Sequence, residues 1–179
     1  MSLFARAEHQ IVGAPRLPAT IVKRPQLDSL LDASRESALT VVRAPGGVGK
    51  TIEVLQWCKA SLPDEPCIWS DLSVSTPSRD GCWRNVLSLF SSMQISQLGM
   101  QAGSIQPLRG EVGVEAVIRA FLMRDRPYTL VLDSFQSIRG TAVVQDVVRL
   151  AESCEKLHIK VLSRTPSPLE SAASFHVIT

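Results

Sequence analysis

One glycine-rich octamer constrains this chain more than any other feature, because its spacing fits a single kind of local structure. It reads Ala44-Pro45-Gly46-Gly47-Val48-Gly49-Lys50-Thr51. The apolar and β-branched residues 38–42 before it predict a buried strand, and residues 51–62 after it carry apolar side chains at helical spacing. A strand, a glycine turn and a helix in this order are the setting of a phosphate-binding P-loop. The octamer departs from that pattern in one place, an alanine where the first glycine is expected.

The residue types of the octamer suit the binding of a phosphate chain. Gly46, Gly47 and Gly49 can take backbone angles that let successive N–H groups point at phosphate oxygens, and the helix that follows adds its positive dipole end. Lys50 would bring charge to the β- and γ-phosphates, and the Thr51 hydroxyl would ligate Mg²⁺. The alternative is a glycine-rich turn that binds nothing. The nucleotide-binding residues predicted in this segment are Pro45, Gly46, Gly47, Val48, Gly49, Lys50 and Thr51.

Composition narrows the class of protein. The chain has 179 residues, 45% of them hydrophobic, which fits one α/β domain with a real core. A net charge of +2 without a long basic run argues against strong nonspecific nucleic-acid binding by this segment. The sequence has no stretch of about 18 apolar residues and no secretory signal, so we expect no membrane span. The four cysteines form no C-x-x-C pair, and we expect buried thiols in a reducing cytoplasm.

The remaining sequence predicts alternating strands and helices. Residues 1–24, interrupted by prolines, are predicted to form an extended arm, and residues 25–179 a P-loop domain. Further strands are predicted at residues 67–69, 128–133, 157–162 and 175–178, and helices from Pro25 and at residues 79–93, 111–124 and 141–155. Residues 96–107 are predicted to be a surface connection. This alternation predicts an α/β fold, a parallel sheet with helices on both faces.

A second part of the site is predicted at the end of the strand at residues 128–133. At the carboxyl end of a strand that neighbours the P-loop strand, Asp133 could hold Mg²⁺ through water, opposite Thr51. The alternative is an ordinary aspartate at a strand end. The next residue is Ser134, where many P-loop ATPases have an acid that orients the attacking water, and serine cannot act as a base at neutral pH. The sequence therefore favours nucleotide binding over fast hydrolysis.

An arginine follows the next predicted strand. Arg164 lies just beyond residues 157–162, where its planar guanidinium could reach a γ-phosphate and bind two of its oxygens. Spacing alone supports equally well the alternative that Arg164 is a surface arginine at the end of a strand.

Several local motifs occur in an order that matches a known family. They lie at residues 21–27, 39–51, 56–57 with Trp69, 80–84, 130–138 and 162–169. Together they resemble the ATPase domain of STAND-class signal-transduction ATPases, in particular the large LuxR-type, maltose-activator-like transcriptional regulators. An Ala-Pro pair opening the loop is usual in that family, which accounts for Ala44. The resemblance runs from about Leu17 to Thr179.

The resemblance implies a fold, a ligand and a role. The fold would be a three-layer α/β/α P-loop NTPase of the ASCE type with strand order 5-1-4-3-2. The ligand would be ATP or ADP with Mg²⁺. The role would be a regulatory switch in the cytoplasm that self-associates in its ATP state, with DNA bound through a C-terminal domain outside this chain. Ser134 departs from the second acid usual in the family, which implies slow or weak hydrolysis.

The resemblance also assigns roles to residues. Arg164 would be the γ-phosphate sensor, and Val22 and Arg24 would lie beside the adenine. Thr51 and Asp133 would hold the metal.

Two other functions fit parts of the same pattern. A metabolic P-loop enzyme such as a small-molecule kinase would need an acceptor site and an arginine-rich lid, and no such lid is evident after residue 133. A binding-only scaffold would keep the nucleotide as a structural cofactor, and Ser134 favours this function over that of a turnover enzyme.

Overall fold

Strands and helices alternate along the described backbone. The computed structural model describes residues 11–19, 22, 24–74, 78–98, 113–171 and 176–179. The strands are β1 (Ile11–Val12), β2 (Leu39–Arg43), β3 (Cys67–Asp71), β4 (Tyr128–Asp133), β5 (Leu157–Ser163) and β6 (His176–Ile178). The helices are α1 (Pro25–Ala33), α2 (Lys50–Ser61), α3 (Arg79–Leu98), α4 (Val114–Leu122) and α5 (Ala142–Ser153). A short 3-10 helix, Phe135–Ser137, follows β4.

The strands form one parallel sheet. Its order is β1-β3-β4-β5-β2-β6, and every pairing between neighbours is parallel. The P-loop strand β2 therefore lies between β5 and β6, and β4 lies on the far side of β5. The carboxyl ends of β2, β4 and β5 meet at one edge, which is where ligands bind in open α/β sheets. The predicted fold class is confirmed.

The strand order agrees with the prediction for five strands and differs at one edge of the sheet. Counted from the P-loop strand, β2 to β6 follow the predicted order 5-1-4-3-2. The sixth strand, β1, lies in the segment predicted as an extended arm, where Ile11 and Val12 pair with Cys67 and Ile68. A strand of two residues is too short to produce an alternating pattern, so no periodic signal marks it.

Successive strand residues face opposite layers of the core. In β4, Leu130 and Leu132 belong to a buried cluster that includes side chains of α3, α4 and α5. Val131 between them belongs to a second cluster, which includes side chains of α1 and α2. The sheet is thus covered on both faces, which gives the three predicted layers. The apolar helix positions that the sequence assigned to the core are buried: Trp83, Val86, Leu87, Phe90, Val114, Val117, Ile118 and Phe121.

One helix is longer than its sequence pattern indicates. α3 continues to Leu98 instead of ending at residue 93, so residues 96–98 are helical and do not begin a loop. Serine and glutamine carry only small helix penalties, and their presence does not end a helix. The rest of the predicted surface connection, residues 99–107, lies outside the described residues.

Two buried polar side chains tie helices to neighbouring elements. Asp146 of α5 accepts two hydrogen bonds of 2.6 Å from the guanidinium of Arg79 and one of 2.7 Å from Trp83 Nε1. Lys160 of β5 donates a hydrogen bond of 2.6 Å to the carbonyl of Ser34, just after α1. Both groups are satisfied by protein partners, as buried polar groups generally are.

The expectation of buried thiols is met. Cys58, Cys67, Cys82 and Cys154 are all buried and free. Burial raises the pKa of Cys82 to about 12, which leaves its thiol protonated and unreactive. Across the same described ranges, the helices include none that is long and apolar enough to cross a bilayer.

Candidate functional site

The glycine-rich octamer connects β2 to α2 at the carboxyl edge of the sheet. Gly47 and Gly49 have φ of +80° and +89°, angles that residues with a Cβ rarely adopt. Gly49 caps the start of α2, whose first helical residue is Lys50. Gly46 does not have a positive φ, and a Cβ there would meet the side chain of Arg164 no closer than 3.6 Å. The predicted special backbone angle therefore applies to two of the three glycines.

Lys50 bends back over the loop that precedes it. Its ammonium donates to the carbonyls of Ala44 at 2.7 Å and Pro45 at 3.1 Å. Burial lowers the pKa of Lys50, the charge of Arg164 lowers it further, and the carboxylate of Asp133 opposes both effects. Two neighbouring cations at a helix N-terminus make a favourable environment for an anion.

A hydroxyl and a carboxylate from different elements meet beside Lys50. Thr51 Oγ1 donates to Asp133 Oδ2 at 2.9 Å. Burial raises the pKa of Asp133, and hydrogen bonds from Thr51 and from the backbone N–H of Ser134 oppose that rise. Hard oxygen ligands of this kind suit Mg²⁺, which keeps several waters and binds through one or two protein groups plus phosphates. The described residues include no cluster of three or more His, Cys, Asp or Glu that could hold a metal by itself.

The residue after Asp133 has a rare backbone conformation. Ser134 has φ of +59°, in the left-handed region, and its N–H donates to Asp133 Oδ1 at 2.7 Å. Strained conformations of this kind cluster at functional sites. Ser134 lines the cleft described next, but its hydroxyl is no base at neutral pH.

These groups line one polar cleft. Its lining residues are Gly47, Gly49, Lys50, Thr51, Asp133, Ser134, Gln136, Leu162 and Arg164. Arg164 follows β5, is exposed, and its backbone N–H donates to Gln136 Oε1 at 3.0 Å. The fold therefore brings together four residues from three distant parts of the sequence that were predicted to share a site: Lys50, Thr51, Asp133 and Arg164.

Lys50 also lines a second pocket, whose exposed surface is mostly apolar. Its lining residues are Arg24, Leu27, Leu31, Val42, Arg43, Ala44, Val48, Lys50, Glu53, Val54, Ile178 and Thr179. Of the two residues predicted to lie beside the base, Arg24 lines this pocket. Val22 does not: its side chain is 73% exposed, and the described wall of the pocket begins at Arg24, next to α1.

Sequence reasoning missed three polar residues near the two pockets. Glu53 is buried on α2. It could have been recognised as an acidic residue among the apolar positions of a predicted helix. Asp71 pairs in register with Asp133, but the predicted strand stopped two residues before it. Gln136 lies in the 3-10 helix after β4, where the sequence pattern carries no information about side-chain direction.

Comparison with known proteins finds likeness in structure and none in sequence. No family model matches the chain, and no curated protein matches it. A STAND protein with a tetratricopeptide repeat sensor from Pyrococcus horikoshii superposes with a TM-score of 0.57 at 16% identity, covering 92% of this chain and 24% of that one. A chain from Drosophila ORC bound to AT-rich DNA gives a TM-score of 0.55 at 12% identity, covering 86% of this chain and 51% of that one. The present chain thus spans from a quarter to about half of the chains it resembles.

The fold places the chain in a structural class. A parallel sheet with helices on both faces and a glycine loop between β2 and α2 is an α/β fold, and it is similar to the fold of the STAND protein and of the chain from the Drosophila ORC structure. At these identities the likeness concerns the fold alone.

Proposed function

We propose that this domain binds ATP or ADP with Mg²⁺ and acts as a regulatory nucleotide switch. The observation that carries the proposal is the contact between Thr51 and Asp133 beside Lys50, at the N-terminus of α2. This arrangement joins a phosphate-binding cation and two metal-binding oxygens in one cleft. A purely structural glycine turn requires neither the lysine nor the hydroxyl and carboxylate pair.

Each residue has a definite task in this proposal. The N–H groups of the octamer and the ammonium of Lys50 hold the phosphate chain. Thr51 and Asp133 hold Mg²⁺, which neutralises charge on the β- and γ-phosphates. Arg164 contacts the γ-phosphate, because it lines the same cleft as Lys50, Thr51 and Asp133 and its guanidinium lies close to Gly46 of the loop. The apolar pocket that shares Lys50 with the cleft takes the base, with Arg24 at its wall.

Hydrolysis by this domain is slow in our proposal. Ser134 occupies the position next to Asp133 where a second acid would orient water, and its own N–H is engaged by that carboxylate. We expect turnover far below the ~10 s⁻¹ of a typical enzyme. A turnover of zero with intact binding would favour the binding-only scaffold, a function that the same serine supports.

The wider role rests on the sequence motifs and on the likeness to a STAND protein. We propose that ATP favours a self-associating form and ADP a monomeric form of a LuxR-type transcription regulator, in which DNA is bound by a C-terminal domain outside this chain. Sedimentation of the domain with ATP and with ADP tests the first part. The coding sequence after Thr179 tests the second, because a helix-turn-helix should follow.

Removal of the P-loop lysine tests nucleotide binding directly. Lys50→Ala should abolish measurable binding of both ATP and ADP in calorimetry, because it removes the charge that faces the phosphates. Lys59→Ala, which removes the same charge from the last turn of the same helix, should bind as the wild type does. Unchanged affinity in a folded Lys50→Ala protein would contradict the proposal.

A further inference from the structure

A buried acid in the apolar pocket is unexplained by phosphate or metal binding. Glu53 lies one turn into α2 and is 5% exposed. It lines the pocket together with apolar side chains such as Leu27, Leu31 and Val54. An ionisable group in such surroundings carries a desolvation cost, so its presence calls for a partner.

The two oxygens of this carboxylate differ in their partners. The backbone N–H of Arg24 donates a hydrogen bond to the carboxylate, whereas Oε1 has no hydrogen-bond partner among the described residues. Burial raises the pKa of Glu53, the charge of Asp28 raises it further, and Arg24 opposes both effects. One acceptor atom of a residue that lines this pocket is therefore buried without a hydrogen-bond partner among the described residues.

We propose that Glu53 Oε1 selects the base of the nucleotide by accepting a hydrogen bond from the exocyclic 6-amino group of adenine. This inference rests on the proposed nucleotide-binding function and adds the residue that discriminates between bases. A carboxylate only accepts hydrogen bonds, so the group opposite it must be a donor. Adenine presents an amino group at position 6, whereas guanine and hypoxanthine present an oxygen, which would be left facing another acceptor without a proton between them.

The lining of the pocket suits the same ligand. The surface that it exposes is mostly apolar, as a flat aromatic ring requires, and its charged lining residues are Arg24, Arg43, Lys50 and Glu53. Lys50 lines both this pocket and the polar cleft, so a single molecule with an aromatic end and a phosphate end would fill both. One carboxylate oxygen already accepts a hydrogen bond from Arg24, so one acceptor remains. The single amino group of adenine matches that acceptor better than the edge of guanine, which carries two adjacent donors.

The test compares ATP with inosine triphosphate, which carries a 6-oxo group where ATP has its 6-amino group. We expect the wild-type protein to bind ATP at least about tenfold more tightly, because a site built to accept a hydrogen bond rejects an analogue that cannot donate one. In Glu53→Gln the amide can rotate to donate to the 6-oxo group, and the ratio of the two affinities should fall to about threefold or less. Asp28→Asn is the control, because it removes one negative charge near Glu53 from a residue that is not among the described pocket lining. This variant should keep the wild-type ratio of the two affinities.

Each outcome decides the matter. Equal wild-type affinity for the two triphosphates, or an unchanged ratio in Glu53→Gln, overturns the role of Glu53 while nucleotide binding stands. Failure of the wild type to bind either triphosphate overturns the proposed function and this inference together. If the circular dichroism spectrum shows that Glu53→Gln does not fold, Glu53→Ala replaces it, and an unchanged ratio in that variant likewise overturns the role of Glu53.

Discussion

Thr51 Oγ1 and Asp133 Oδ2 lie 2.9 Å apart in a hydrogen bond that joins the first turn of α2 to the end of β4. The two residues are separated by 82 positions in the chain, and only the strand order of the sheet brings them together. The contact makes Asp133 both a structural acceptor and a candidate metal ligand. These two roles can be separated by substitution.

Asp133→Asn should keep the fold and lose the metal dependence of nucleotide binding. The amide oxygen can still accept from Thr51 or the Ser134 N–H, while the desolvated charge that raises the pKa of Asp133 is gone. We therefore expect a Tm equal to or above that of the wild type, and ATP affinity that no longer responds to Mg²⁺. Thermal melts and calorimetry with and without Mg²⁺ measure the two effects. Asp71→Asn, the neighbouring acid on β3, is the control and should keep the Mg²⁺ response.

Arg164→Ala should weaken ATP more than ADP. Loss of a charge-assisted contact to the γ-phosphate should cost about tenfold or more in ATP affinity and little in ADP affinity. Arg139→Ala, an exposed arginine outside both described pockets, should change neither affinity. An equal loss for the two nucleotides would remove the sensor role from Arg164.

Asp146→Ala should destabilise the domain. Without the carboxylate the indole N–H of Trp83, which is fully buried, loses its acceptor, at a cost of about 1–3 kcal/mol. Urea unfolding measures the loss, and Asp146→Asn, which can still accept from Trp83, should lose less. If Asp146→Ala has the same urea midpoint of unfolding as the wild type, the contact of Asp146 with Trp83 does not stabilise the packing of α3 against α5.

The same aspartate gives a pH dependence of known sign. Burial raises the pKa of Asp146, but hydrogen bonds from Arg79 and Trp83 outweigh burial and hold the pKa below its ordinary value. The stabilisation is therefore present above the ordinary aspartate pKa and is lost as pH falls through the lower folded value. The stability difference between wild type and Asp146→Ala should shrink over that acid range.

Lys160→Met should remove an alkaline gain in stability. Lys160 donates to the Ser34 carbonyl and the Thr40 hydroxyl, yet burial lowers its pKa to about 8 from an ordinary value of 10.5. Between these two values the unfolded chain binds more protons than the folded one, so the contribution of Lys160 to stability rises with pH by up to about 1.4 kcal/mol per pH unit.

Urea unfolding of both proteins at pH 8 and pH 10 should show stability rising in the wild type relative to Lys160→Met. Buried thiols such as Cys82 act in the opposite direction, but they are present in both proteins and cancel in the comparison. A constant difference between the proteins would contradict the assignment.

The sequence predicted which residues meet in the polar cleft better than it predicted their surroundings. Strand, glycine loop and helix have strong periodic signals, and the acid and arginine at strand ends follow from where parallel strands end. Glu53 was not recognised because helical spacing identifies a buried face and not the direction of one carboxylate. The strand Ile11–Val12 was missed because its partner is more than fifty residues away and two residues cannot show alternation. Val22 was assigned by likeness alone, and its exposed side chain does not support that role.

The position of β2 between β5 and β6 has a consequence for synthesis on the ribosome. The strand that leads into the glycine loop pairs with residues 157–163 and 176–178 and with no earlier described segment. When the loop itself has left the exit tunnel, both neighbours of its strand are still unmade, and pairing over more than a hundred residues is slow. A nascent chain that stops between residues 51 and 157 carries the complete phosphate-binding motif without the strand β5 that pairs with β2. Nucleotide capture by stalled chains of increasing length should therefore begin abruptly, late in translation.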